Sequence, residues 1–74
     1  MIVLIQHIED KDYNILKVVD NQIVASTGWW VWKETAFKQP LYPNKLWGSY
    51  SNVLSNPHIY EVIATSETNP EFFI

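Results

Sequence analysis

The sequence predicts a mainly β fold: one small antiparallel β-meander of about five strands, with a short helix or loop before the last strand. Three observations predict it. Apolar and polar residues alternate through the first half of the chain, short polar clusters interrupt that alternation, and a helical spacing of apolar residues follows after a proline-containing stretch. A partly open barrel is the curled variant of this arrangement, and the helix would make the class α+β.

The first four strands are expected at Ile2 to Ile8, Tyr13 to Val19, Gln22 to Ser26 and Trp29 to Phe37. The connections are Glu9-Asp10-Lys11-Asp12, Asp20-Asn21 and Thr27-Gly28, and loop length fixes which residues oppose one another. A four-residue first loop sets Ile5 opposite Leu16 and Val3 opposite Val18. A two-residue Asp20-Asn21 turn sets Val18 opposite Ile23 and Leu16 opposite Ala25. A two-residue Thr27-Gly28 turn then brings Trp30 to Ala25 and Trp32 to Ile23.

These loops together assemble one apolar face of Val3, Ile5, Leu16, Val18, Ile23, Ala25, Trp30 and Trp32. Thr27 is the weak link, because a β-branched residue resists the positive φ that primed turns favour. A bulged or longer loop there would send Trp29 and Val31 inward instead. The opposite face, with Ile2, Leu4, Ile8, Tyr13, Ile15, Val19, Val24, Trp29 and Val31, is too apolar to stand in water uncovered.

Pro40 and Pro43 mark residues 38–44 as a loop. Leu46, Trp47, Tyr50, Val53 and Leu54 then follow a helical period, with Asn44 as a candidate N-cap and Asn56-Pro57 as the stop. Ile59 to Thr65 returns to strand character, and the apolar end Phe72-Phe73-Ile74 is expected to dock on the sheet or on another molecule.

Composition sets bounds on function. The 74 residues form a single domain, 1–74, and 47% of them are hydrophobic and 15% aromatic. A chain this short buries only roughly 60% of the surface its unfolded form exposes, so large rings must supply much of the core. There is no cysteine, which removes disulfides and thiolate metal sites.

The net charge is −3, and all five basic residues are lysine. Duplex nucleic-acid binding is not expected, since a basic excess and the bidentate guanidinium are both missing. The lack of arginine beside abundant Asn, Ile and Lys is what an AT-rich phage or low-GC bacterial genome would encode. No stretch is long and apolar enough to span a bilayer, and the chain is expected to be cytoplasmic.

No catalytic constellation is recognisable. His7 lies near Glu9, Asp10 and Asp12, without the spacing of a zinc or calcium site. His58 and Glu61 fall on opposite faces of a strand. With only Gly28 and Gly48 there is no phosphate loop or dinucleotide fingerprint. Neither an enzymatic activity, a metal nor a cofactor is expected.

The rings Trp29, Trp30, Trp32, Phe37, Tyr42, Trp47 and Tyr50 crowd into the middle of the chain. They serve either as core or as contact surface. That middle also holds the one net-positive stretch, where Lys33, Lys38 and Lys45 outnumber Glu34.

Absent chemistry and surplus apolar area together suggest a non-catalytic protein-binding module, an inhibitor or adaptor that occludes or bridges a protein partner. Its contact residues would be Trp29, Val31, Lys33, Lys38 and Trp47, assisted by Phe72 and Phe73. A homo-oligomer is expected, most simply a homodimer through the second sheet face. The alternative is a ligand-binding module that stacks single-stranded nucleic acid, a sugar or a nucleotide on Trp and Tyr beside lysines.

Overall fold

The computed structural model describes residues 1–28, 30–38, 40–43 and 47–67. Five antiparallel strands form one open sheet: β1 (Ile2–His7), β2 (Tyr13–Val19), β3 (Gln22–Ser26), β4 (Tyr42–Pro43) and β5 (Tyr60–Ser66). They lie in the order β4-β3-β2-β1-β5. Two short helices accompany the sheet, α1 (Lys33–Lys38) between β3 and β4, and α2 (Tyr50–Leu54) between β4 and β5. The predicted class and the helix before the last strand are both present.

The first hairpin is wider than its polar residues suggested. Val3 pairs with Leu16 and Ile5 with Asn14, two residues away from the expected register. Ile8 has left the strand, because the His7 N–H donates to the Asp12 carbonyl at 2.8 Å and the Lys11 N–H to the His7 carbonyl at 2.8 Å. Lys11 takes a φ of 63° to close this loop. A shift of two keeps every side chain on its expected face, so Val3, Ile5, Leu16 and Val18 remain together in the core.

The second turn is as expected: Asp20 and Asn21 have φ of 50° and 65°, and Val18 opposes Ile23. Beyond it the register slips, and Leu16 meets Ser26 rather than Ala25. The extra residue is Val24, which alternation alone does not reveal.

The expected strand from Trp29 to Phe37 does not form, and no hairpin turns back at Thr27-Gly28. Thr27 is buried, its N–H donates to the Ile15 carbonyl at 3.1 Å, and only Gly28 takes a positive φ, of 92°. The chain therefore carries on along β2 in the direction of β3 until Val31 pairs with Tyr13. The following residues, Lys-Glu-Thr-Ala-Phe-Lys, then coil into α1. Glu34 in its first turn and Lys38 in its last complement the helix dipole.

Each sheet face carries one helix of the chain. On one, Val53 of α2 joins Val3, Ile5, Leu16, Val18 and Ile23, with Trp30, Trp47, Tyr50 and Tyr60 packed around them. On the other, Ala36 of α1 joins Leu4 and Ile15, with Val31, Phe37 and Leu41 against them. Helix α1 covers part of the second face, and Val19 at the end of β2 stays 46% exposed there. Helix α2 starts later than the sequence suggests, after Ser49, because Gly48 takes a φ of 74° that no helix admits. Asn44 and Leu46 lie outside the described residues, and Leu54 is exposed rather than core.

Candidate functional site

The segment Trp30-Val31-Trp32 is clamped to the start of β2. The Tyr13 N–H donates to the Val31 carbonyl at 2.7 Å, and the Val31 N–H returns a bond to the Tyr13 carbonyl at 3.1 Å. This single antiparallel pair sets Asp12 opposite Trp32 and Asn14 opposite Trp30. Side chains alternate across it, so Val31 turns into the second core cluster while the two indoles go the other way.

The two indoles have different fates. Trp30 packs on the first core cluster and stacks on Tyr60, with ring centroids 5.8 Å apart and planes 11° from parallel. Trp47 meets Trp30 edge-on at 5.7 Å, and His7 does so at 5.4 Å. Trp32 instead remains 75% exposed, which corrects the expectation that it belongs to the core. The reason is local. The Ala36 N–H donates to the Trp32 carbonyl at 2.9 Å, so Trp32 caps α1, and a capping side chain projects off the helix end rather than into the sheet.

A cleft of about 270 Å³ lies beside it, lined by Asp12, Trp30, Val31, Trp32 and Thr35. Asp12 is its charged lining residue and is half-buried. Its carbonyl is held by the His7 N–H, while its carboxylate makes no hydrogen bond or ion pair with the described residues.

The expected contact residues scatter. Val31 is half-buried and packed inward, Trp47 belongs to the ring cluster, and Lys33 and Lys38 are exposed at opposite ends of α1. Trp29, Phe72 and Phe73 lie outside the described residues. Asp12, Trp30, Trp32 and Thr35 are the cleft residues that sequence reasoning did not select as binding residues. The available signal was the run of helix formers that begins directly after Trp32.

The remaining polar groups explain themselves structurally. The His7 Nδ1 accepts from the Asp10 N–H at 3.3 Å, which puts the proton of the neutral ring on Nε2. The same nitrogen lies 3.5 Å from the Asp10 carboxylate. His58 and Glu61 are both exposed. Burial pushes the Tyr50 phenol above its ordinary pKa. Among the described residues no group of three or more His, Asp or Glu side chains could hold a metal ion, and no helix is long and apolar enough to cross a membrane.

The chain matches no protein-family model, and neither curated proteins nor solved structures supply a relative.

Proposed function

We propose that the chain is a non-catalytic protein-binding module, an inhibitor or adaptor that occludes or bridges a protein partner through the surface around Trp32. The observation that carries this reading is an indole 75% exposed on a backbone fixed from both sides, by the Tyr13 pair before it and the α1 hydrogen bond after it. An indole left in water costs hydrophobic stabilisation of about 3 kcal/mol, which a partner recovers by covering it. A backbone already held in place loses little further entropy on contact, and large rings such as Trp are favoured as interface anchors. Lys33 and Lys38 supply a polar rim, and the cytoplasm is the proposed setting.

Self-association is the second element of the proposal, and the sheet edge supports it better than either face. β4 is two residues long and ends in Pro43, which blunts that edge, whereas β5 is a seven-residue outer strand. A second copy would add to β5.

Affinity capture from host lysate with wild-type protein and with Trp32→Ala, combined with mass by light scattering at several concentrations, tests the reading. The expected result is a defined protein retained by the wild type and lost by the variant. Equal retention by both, or a strict monomer that retains nothing, overturns it.

A further inference from the structure

We propose that the cleft between Asp12 and Trp32 is a cation-recognition site that receives the alkylammonium end of a lysine side chain from the protein partner. The inference rests on the binding reading above and identifies the group recognised.

Three features of the cleft point to this chemistry. The exposed indole of Trp32 lines it, and the face of an indole attracts a cation more strongly than any other side-chain ring. Its charged lining group is a half-buried carboxylate that has no partner among the described residues. Such a group gains most from a cation, because neutralising charge in a partly dehydrated site counts for more than it does in water. An ammonium also carries three donors, and two of the lining residues, Asp12 and Thr35, have side-chain acceptors to offer it.

Size and sign exclude the other ligands. The cleft is a shallow, open one of about 270 Å³, a shape that covers the end of a side chain rather than enclosing a whole ligand. A phosphate would meet the Asp12 carboxylate directly. An apolar side chain would strand that carboxylate without a partner. Lys11 and Lys33 neighbour the cleft in sequence, but both are exposed and absent from its lining, so solvent and salt screen them.

The test is a titration with Nα-acetyl-lysine methylamide, followed in heteronuclear NMR spectra by the Trp32 indole N–H and, in every variant, by the backbone amides of Asp12 and Thr35. The neutral norleucine analogue and a methyl glucoside are titrated in parallel. The lysine probe should shift the Trp32 signal with a dissociation constant on the order of millimolar, as suits a single side chain. Asp12→Asn and Trp32→Ala should each weaken it at least fivefold. The norleucine analogue should bind at least fivefold more weakly than lysine.

Equal binding of the norleucine analogue, an unaffected Asp12→Asn variant, or saturation by the glucoside in place of lysine overturns the assignment. Both substitutions fall on surface groups, and the spread of amide signals checks that the fold survives. A partner lost by Trp32→Ala while the lysine probe leaves the cleft unshifted sinks the cation site and leaves the protein-binding reading standing. Lysine binding with no partner captured does the reverse.

Discussion

Asn21 holds the start of α2 as well as turning the chain between β2 and β3. Its carbonyl accepts from the Tyr50 N–H at 2.8 Å and its side-chain oxygen from the Ser51 N–H at 3.0 Å, while its amide donates to the Ser51 hydroxyl at 3.3 Å. Ser49, the residue in the N-cap position, makes no side-chain cap of its own. A residue thirty positions away thus satisfies N–H groups that a helix start leaves open.

Two substitutions separate the roles of Asn21. Asn21→Gly keeps the φ of 65° and loses only the side-chain bonds, so it should cost about 1 kcal/mol. Asn21→Ala adds the strain of a left-handed conformation and should cost about 2 kcal/mol or more. Urea denaturation of the two variants measures the difference, and equal losses would show that the turn conformation does not matter.

The neighbouring indoles should respond in opposite ways. Trp32→Ala removes an exposed ring and should alter stability by no more than about 0.5 kcal/mol. Trp30→Ala opens a gap among Tyr60, Trp47 and His7 and should cost about 3 kcal/mol. Thermal melts of both variants read this out, and a large loss in Trp32→Ala would show that its ring is structural.

Alkaline stability should depend on Tyr50. Its phenol has a raised pKa in the folded chain, so the neutral form is favoured there. The unfolded chain ionises first, and this contribution is complete below the ordinary tyrosine pKa of about 10 and falls as pH rises through it. Tyr50→Phe cannot ionise and should lose less stability between about pH 9 and 11 than the wild type. Parallel denaturation curves at the two pH values give the comparison.

The sheet was largely legible and the cleft was not, for physical reasons that can be located. The two-residue period of an extended chain sends Val3 and Ile5 to one face and Leu4 to the other, and a register error of two leaves that unchanged. Val24 and Ile63 sit where the pairing slips, and bulges leave no mark on a two-residue period. Buried Asn14 is similar. It reads as a polar interruption, yet it is 1% exposed and its side-chain oxygen accepts from the Thr27 N–H at 3.3 Å.

Trp29 to Phe37 misled because apolar rings at alternate positions mimic a strand, while Lys33, Glu34 and Ala36 favour a helix. The Tyr13–Val31 pair decided between them by ending the extended run at Trp32. That long-range choice brings Asp12 to Trp32, and no local spacing encodes it.

The place of β1 in the sheet has a consequence for how the protein is made. Its two neighbours are β2, which follows at once, and β5, which comes from the far end of the described chain. A nascent chain can close the first hairpin early, but the other side of β1 stays open until residues 60–66 have left the ribosome. Val3 and Ile5, wholly buried in the finished sheet, lack one flanking strand until β5 emerges.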